Sequence, residues 1–558
     1  MAQLSIDAAF SAIKRALRDK ESSDEIYREA MELTFPDREN FTKRKEGQQK
    51  AAYNWDSTPQ VSIIRAANRL SSDWTPQFQD WFEIGLGPAA LALPDDKFKE
   101  AMGGKTKDDM KLELEGITNI AQAIFNGPGF PTASNETYID WHFGQGGMKI
   151  MPNDDILGEP VIFSAMPMSQ FYAYEGPNGR HDRWFFWHEL RADVITTEWP
   201  DAVLPDYIKE EAEKPTPALI KLCSVVYRDY DIGKAGRTRP SGDDQSDNSP
   251  PAPFRYEVFW QKGAEKARLV ERQSRTPPFV TPRYSKLAGE NRGRGPVLLA
   301  IPDIRTANKI VELTLRSVAV AVAGVYTATE NGVTGAVNIK PYSVIRVRKN
   351  GGPDGPSLQR LDNPQRIDFG QLVLDTLHDN IKKMIGDNSL PSEMGPIRSA
   401  TEFIQRAREL VSDQAGGLGR LYSEFIIPAV QRVIDILETK NILATDGLKI
   451  DQFLVEIRMT SPLARGEAMQ EVENLVRFME MLKMLGGDEL MAYEIDMEIA
   501  PGKMADLMNI PMTVRNTVEK KAAFKEALVK QASAQQGGDP NQAGQELANA
   551  EQQVAEQA

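Results

Sequence analysis

The stretch that decides the fold opens with NRGRGPVLLAIPDIRTANKI at residues 291–310. Directly after it, apolar residues recur three and four positions apart, which is the spacing of one helix face. This apolar series consists of Val311, Leu315, Val318, Val322 and Val325. The pattern predicts a long helix rather than a short core segment.

We predict that this first helix begins at Asp303, as N-cap, with Pro302 just outside. A helix over residues 303–327 would be roughly 37 Å long at 1.5 Å per residue. A helix of this length beside a second long helix is more typical of a spanning assembly than of an enzyme.

A second helix is predicted from near Asp368. Gln371, Asp375 and Asp379 share one of its faces at i, i+4 spacing. Like charges at that spacing destabilise an isolated helix by a few tenths of a kcal/mol, and we expect Lys383 to offset part of this for Asp379. Its apolar face is predicted to carry Phe369, Val373, Leu377, Ile381, Met384 and Ile385.

The second helix must end at GDNSLPSEMGPIR, residues 386–398, where two Gly and two Pro exclude helix. Ser399 and Glu402 then have the spacing of a capping box, which predicts that a new helix starts at once. The segment between is therefore expected to be a short loop held at both ends.

Length and composition restrict the function. At about 150 residues per domain, 558 residues allow three or four domains. A net charge of −14 argues against a protein that grips nucleic acid through Lys and Arg. It does not argue against one through which nucleic acid passes. The single cysteine, Cys223, excludes an internal disulfide and suits a reducing compartment.

No membrane segment is predicted. The N-terminal sequence indicates an amphipathic polar helix without a secretory core. The longest apolar run, around residues 318–326, is shorter than the about 20 residues that span a bilayer. We expect a soluble, cytoplasmic chain with no membrane partner.

The rest of the chain predicts an α+β fold that is mainly α-helical. Residues up to about 153 have mostly helical patterns, whereas β-favouring residues dominate 159–286. The strands are expected at 170–174, 183–190, 219–228 and 255–260, and GPNG at 176–179 predicts a hairpin between the first two. Residues 241–253 are predicted to form an exposed loop.

Four further elements are predicted. VIRVR at 344–348 indicates a short strand between the two long helices. The helix from Ser399 should be kinked at Gly416, Gly417 and Gly419 and at Pro428. Residues 466–485 form a Met- and Leu-rich helix. After about residue 530 the chain is either disordered or helical against neighbouring copies.

Catalytic and cofactor motifs were sought, and none is convincing. GGKT at 103–106 resembles a phosphate loop, but Lys99 stands where the pattern needs glycine, and no strand precedes it. GQGG at 144–147 is better interpreted as a turn. Four His and one Cys form no metal-ligand array. We predict no catalytic residue, metal or cofactor.

Several segments, in their order, resemble the head-to-tail connector (portal) proteins of short-tailed, T7-like bacteriophages. The resemblance covers most of the chain, although no single motif decides it. It rests on YREAMELTFP (27–36), WDSTP (55–59), RAANRLSSDWTPQFQDWFEIGLG (65–87), GRGPVLLAIPDIRTANK (293–309), IRSATEFIQRARE (397–409) and SPLARGEAMQEVENL (461–475).

The resemblance implies a ring of twelve copies at one capsid vertex, with double-stranded DNA passing along its axis. The implied partners are the terminase large subunit, tail adaptor proteins, and the major capsid and scaffolding proteins. The implied location is the virion, after assembly in the host bacterial cytoplasm.

The resemblance also implies a division of the chain into named parts. These are a helical wing part (1–158), a β-rich wing part (159–290), a first stem helix (291–328), an α/β clip (329–366), a second stem helix (367–386), a channel loop (387–398), a long kinked helix (399–465), and a crown with a C-terminal tail or barrel (466–558).

The channel loop is expected to approach DNA through Asp387, Asn388, Ser389 and Glu393. Arg398 could contact phosphates as a weak moving clamp. Alternatively, Arg398 pairs with Glu402 or another carboxylate.

Two further sets of residues are candidates. On the second stem helix, Asp375 and Asp379, with Lys383, are expected to face the channel or a neighbouring subunit, or else form a solvated face. In the clip, the candidates for an acidic partner are Lys340, Arg346, Arg348 and Lys349. The alternative is that the two arginines protect an edge strand.

Two rival functions stay open at this point. One is another virion structural protein, such as a tail adaptor or an internal scaffold. The other is an enzyme of unknown class, which would need a pocket with converging titratable groups.

Overall fold

The computed structural model describes most of the chain. The described residues are 5–36, 38, 54–101, 104–153, 158–230, 252–323, 325–328, 358–361, 367–387, 417–443, 455–460, 462–495, 500–508, 510, 515, 524 and 527. The chain divides into two compact units, one of Met1–Ser71 with Pro128–Asp435 and the other of Ser72–Gly127 with Ile436–Ala558. The mixture of helix and strand is compatible with the predicted α+β class.

The first unit contains an antiparallel sheet of five strands in the order β4-β5-β6-β7-β8. The predicted hairpin is present, because β4 pairs with β5 and Gly179 takes a φ of 72° in the turn. All four predicted strands occur within this sheet. The strands are β4 (Phe171–Glu175), β5 (His181–Arg191), β6 (Leu219–Arg228), β7 (Phe254–Lys262) and β8 (Glu265–Ser274).

Helices cover both faces of this sheet. The helix α1 (Ile6–Thr34) packs Phe10 and Ile13 on one face, against Phe185 and Phe259. On the other face, Trp260 lies in the larger core of the unit. The helices α7 (Ala192–Glu198) and α8 (Asp206–Ala212) also contribute to that core.

A second, smaller sheet in this unit has the order β3-β2-β9. Its strands are β2 (Met148–Pro152), β3 (Val161–Ala165) and β9 (Phe279–Val280). The helix α6 (Gly129–Phe143) contacts β2 and β3. The helix α2 (Thr58–Trp74) buries Ile63, Ala67 and Leu70, whereas Ile64 is 37% exposed.

Two glycine-rich segments touch backbone to backbone. A Cβ on Gly295 would lie 2.0 Å from the carbonyl oxygen of His142, and one on Gly293 would lie 2.2 Å from that of Gly144. A side chain at Gly293 or Gly295 would therefore push the two backbone segments apart. The sequence GQGG at 144–147 is thus a close-packing segment against NRGRG at 291–295, which is more than the predicted turn.

The two long helices are α9 (Pro296–Ala323) and α10 (Ile367–Ile385). The predicted start of the first helix at Asp303 is wrong, because α9 begins seven residues earlier and contains Pro302. A proline is tolerated in the first turn, which suits Pro296. Proline costs about 3 kcal/mol in a helix interior. Packing of this first segment into the core opposes that cost, since Val297, Ala300, Ile304 and Ala307 are each at most 2% exposed.

A two-stranded sheet of β10 (Val325–Ala328) and β11 (Leu358–Leu361) follows α9 and precedes α10. The predicted helical extension to residue 327 is therefore wrong, since strand β10 takes its place. The strand predicted at 344–348 lies outside the described residues.

Near Pro428, where a kink was predicted, the structure has a π-helical segment, Tyr422–Ile426, which leads into α11 (Ile427–Thr439). The N–H of Ile427 donates to the carbonyl oxygen of Tyr422, five residues earlier. Pro428 has no N–H to donate, so widening the turn here accommodates the missing hydrogen bond.

In the second unit, β1 (Phe82–Leu86) pairs with β12 (Val455–Met459) and packs on α5 (Lys107–Phe125). Trp81, Phe82 and Phe125 form a cluster of edge-to-face rings. Phe78, three residues before Trp81, lies outside that cluster and is 87% exposed. The remaining helices are α3 (Pro88–Ala92), α4 (Asp95–Ala101), α12 (Pro462–Glu494), which contains the predicted Met- and Leu-rich helix, and α13 (Ala500–Leu507).

Candidate functional site

The helix pair, defined as α9 and α10, is anchored at one end and exposed at the other. Ile304 and Ala307 of α9, with Ile381 and Ile385 of α10, belong to the core of the first unit. Farther along the pair, apolar side chains are uncovered. These are Leu313 at 50% exposure, Leu315 at 49%, Val318 at 39% and Leu372 at 67%. Leu315 and Val318 share one face of α9 at i, i+3 spacing, and exposed apolar residues on one helix face are typical of contact surfaces.

Polar contacts fix the anchored end. His378 Nε2 of α10 lies 3.1 Å from Asp56 Oδ2, and the other oxygen of Asp56 accepts hydrogen bonds from the N–H and hydroxyl of Thr58. On α9, Asn308 Oδ1 accepts the N–H of Trp55 at 2.6 Å. Both long helices are thereby tied to the segment that starts α2.

The predicted acidic face of α10 is exposed. Asp375, Asp379 and Lys383 all lie on the surface. The cation near Asp379 is Lys382, whose Nζ is 3.9 Å from the carboxylate, rather than the expected Lys383. Asp379 thus pairs with the lysine three residues later, whereas the sequence pattern predicted the lysine four residues later. The orientation of this face in an assembly remains a prediction.

The end of α10 is a Schellman motif. Gly386 has a φ of 86° and donates its N–H to Lys383, while the Asp387 N–H donates to Lys382 at 2.9 Å. Asp387 is 5% exposed and its carboxylate lies 3.9 Å from the Arg65 guanidinium. This residue, predicted among those that approach DNA, therefore lies buried at the base of the loop.

The other predicted loop residues, Asn388, Ser389, Glu393 and Arg398, lie outside the described residues. So do the four clip candidates, Lys340, Arg346, Arg348 and Lys349, and the predicted capping box at Ser399. Their roles remain predictions.

Sequence reasoning missed a buried ion pair between Arg283 and Glu424. The guanidinium donates to both carboxylate oxygens, at 2.6 and 3.1 Å, and the Arg283 backbone N–H adds a third bond at 3.0 Å. Burial alone raises the pKa of Glu424, but the hydrogen bonds from Arg283 hold that pKa below its usual value. The two residues are 141 positions apart, so no local spacing could have revealed the pair.

A second missed cluster joins α1 to the glycine-rich segment before α9. Arg292 is 4% exposed, its Nη1 lies 2.8 Å from Asp24 Oδ1, and its guanidinium lies over the rings of Tyr27 and Tyr172. Lys20 shares the same carboxylate, and burial lowers the pKa of Lys20. Gly293 and Gly295, which follow Arg292, were a visible signal, because they let the backbone approach the end of α6 closely.

The GGKT segment is a helix start and not a phosphate cradle. The Thr106 side chain accepts the N–H of Asp109 at 3.1 Å, and the Asp109 carboxylate accepts the N–H of Thr106 at 3.1 Å. This capping box uses the groups that a phosphate would need. Across the described ranges, no group of three His, Cys, Asp or Glu is placed to hold a metal ion. No described helix is both long and apolar enough to cross a membrane.

An exposed helix pair rooted in a mixed α/β body is typical of proteins that assemble with other chains. Comparison with known families agrees with this class. The family model for bacteriophage head to tail connecting protein matches residues 7–515. The chain belongs to this family, whose members are structural proteins of the virion and not enzymes. No curated protein matches the chain.

Proposed function

We propose that this chain is the portal of a short-tailed, T7-like bacteriophage. Twelve copies form a ring at one capsid vertex, and double-stranded DNA passes through it during packaging and ejection. The observation that carries the proposal is the family match over residues 7–515. The uncovered apolar face of the helix pair supports it, because neighbouring copies offer a cover for that face.

In this proposal the helix pair is the stem, and residues 329–366 are the clip that meets the terminase large subunit and later the tail adaptors. The loop at 387–398 reaches the channel. The remaining regions form the wing and crown, which contact the major capsid and scaffolding proteins.

The charge of the chain suits a conduit. Twelve copies would carry 12 × −14 = −168 formal charges. Such a wall repels DNA at short range, since the screening length is about 8 Å at physiological salt. Asp375 and Asp379 are exposed on α10 and are our candidates for the channel wall or the contact with the next subunit.

Electron microscopy of the purified protein tests the ring, together with its mass in solution. We expect rings with a central hole wide enough for a DNA duplex. Leu315→Glu with Val318→Glu should prevent ring formation, because the substitutions place charges in the proposed contact. Leu287→Glu, at a residue that is 51% exposed outside the helix pair, is the matched control. A wild-type chain that stays monomeric at every concentration would contradict the portal proposal.

A DNA packaging assay tests the channel separately. Asp375→Ala with Asp379→Ala should impair packaging while rings still form, and deletion of residues 389–394 should do the same. Unchanged packaging by the double alanine variant would remove the channel role of the two aspartates. Loss of the ring on deletion would show that the loop is structural.

A further inference from the structure

A cleft in the first unit has no role in the proposed conduit. It lies where the turn between β4 and β5, the end of β6 and the π-helical segment before α11 meet. Two adjoining cavities of about 280 and 350 Å³ share Arg180, His181 and Arg228 in their walls. Both cavities open to solvent.

Two arginines at the rim of this cleft have no acidic partner among the described residues. Arg180 and Arg228 are exposed, and neither forms a salt bridge with any described residue. By contrast, Arg275 in the same wall is paired with Asp435 at 2.7 Å. In a chain with 80 acidic and 66 basic residues, two unpaired arginines at one opening indicate a site for an external anion.

The Arg228 guanidinium is held in position without losing its charge. It lies 5.0 Å from the ring centroid of Tyr230 and 5.8 Å from that of Phe254. Stacking of this kind orients the planar group and leaves its N–H donors for a carboxylate. Of the acidic side chains in the walls, Glu424 binds Arg283, whereas Asp182 accepts the Tyr230 hydroxyl at 3.0 Å.

The cavity of about 280 Å³ has a mixed lining. Its apolar residues include Trp184, Phe279, Val280, Pro277 and Pro428, and its polar residues include Thr276, Thr281, Ser423 and Gln431. A volume of about 280 Å³ lies at the lower limit of sites that take whole small molecules, which measure about 300–1,000 Å³. This cavity therefore suits a single large side chain.

We propose that this cleft binds a short acidic peptide segment of a partner protein. One large apolar side chain of the peptide inserts beside Trp184 and Phe279, and its carboxylates pair with Arg180 and Arg228. The site lies within one chain, so the proposal does not depend on the ring.

The test is fluorescence anisotropy of a labelled hexapeptide made of four glutamates around two central phenylalanines, titrated with the full-length protein. We expect saturable binding that Arg180→Ala with Arg228→Ala weakens by about tenfold or more. Arg15→Ala with Arg18→Ala, on the exposed face of α1, should leave the affinity unchanged. A peptide with alanines in place of the phenylalanines should bind about tenfold more weakly.

A further variant, a stability measurement and a DNA probe distinguish the proposal from its alternatives. Arg228→Lys keeps the charge but loses the planar stack, so it should restore part of the affinity lost in Arg228→Ala. Thermal unfolding should be unchanged in the double alanine variant, because both arginines are exposed. The proposal is overturned if wild-type protein does not bind the peptide, or if the α1 control loses as much affinity. A DNA duplex that binds more tightly than the peptide, with the same dependence on both arginines, identifies a phosphate site and also overturns it.

Discussion

At the scale of single residues, the first unit is held together by charges that are buried and paired over long sequence distances. Arg283 is fully buried, its guanidinium spans both oxygens of Glu424, and it also donates to the Gly179 carbonyl at 2.9 Å. These contacts connect the segment after β9, the β4–β5 turn and the π-helical segment. An arginine with this many directed bonds fixes the relative position of three elements.

Arg283→Met should destabilise the protein by about 3–5 kcal/mol, because it leaves the Glu424 carboxylate buried without its partner. The double variant Arg283→Met with Glu424→Met should lose less than the sum of the two single variants. Chemical denaturation, followed as the free energy of unfolding, measures these differences.

The matched control is Arg294→Met. Its ion pair with Glu290 is 38% exposed on both sides, so the loss should stay below about 1 kcal/mol. Equal losses for Arg283→Met and Arg294→Met would show that the buried pair is not a special stabilising contact.

His142 should make the protein sensitive to acid. It is 3% exposed, and burial lowers its pKa from 6.5 to about 4. As the pH falls, the unfolded chain takes up the proton first, so stability that is present above about pH 6.5 is lost progressively towards pH 4. The loss attributable to this residue is on the order of 3 kcal/mol.

The measurement is the melting temperature of wild type and His142→Gln between pH 7 and pH 4. Carboxylates titrate in both proteins, so the difference between the two curves isolates the histidine. That difference should shrink as the pH falls. Parallel curves would refute the assignment.

At the scale of elements, the helix ends show how far local sequence reaches. Gly386 was predicted to stop α10, and it does so in the left-handed conformation that glycine favours. Four of the five strands of the larger sheet, β4 to β7, were also predicted within a few residues, because β-branched and aromatic residues cluster between clear turn signals. Local sequence patterns were sufficient to predict the ends of an element where the residues of that element alone determine them.

Local sequence patterns failed to predict features that depend on tertiary contacts. The start of α9 was misplaced because burial of Val297 and Ala300 outweighs an interior proline, and burial is not visible in a one-dimensional pattern. The same limit explains the missed Arg283–Glu424 pair. Of the proposed site residues that the structure describes, Asp375, Asp379 and Lys383 are exposed on α10 and Asp387 is buried after its end, while their proposed roles stay predictions.

Gly386→Ala should destabilise the end of α10, since an alanine at a φ of 86° costs roughly 1–2 kcal/mol. The control is Gly419→Ala, where a Cβ meets no atom within 4 Å in a helical stretch. That substitution should be neutral or stabilising by about 0.5–1 kcal/mol. Hydrogen exchange of the last turn of α10 reports the change, and equal protection in both variants would contradict it.

At the scale of the whole molecule, electrostatic repulsion between copies opposes the hydrophobic burial that their association would bring. Each chain carries −14, yet the helix pair exposes apolar residues that association would cover. Bringing copies together therefore gains hydrophobic burial and costs electrostatic repulsion. Salt weakens the repulsion, because the screening length falls from about 30 Å at 0.01 M to about 8 Å at 0.15 M.

Rings should thus form at lower protein concentration as salt is raised over this range, which mass measurement in solution can follow.

The position of the acidic residues makes the prediction specific. Asp375→Asn with Asp379→Asn removes 12 × 2 = 24 charges from a ring of the proposed size. If these aspartates face the axis, where like charges from all copies converge, the variant should assemble with much less dependence on salt than wild type. Asp201→Asn with Asp206→Asn removes the same number of charges from exposed positions in and beside α8, and should change the salt dependence less. Equal changes in the two variants would mean that α10 does not present its carboxylates to a shared axis.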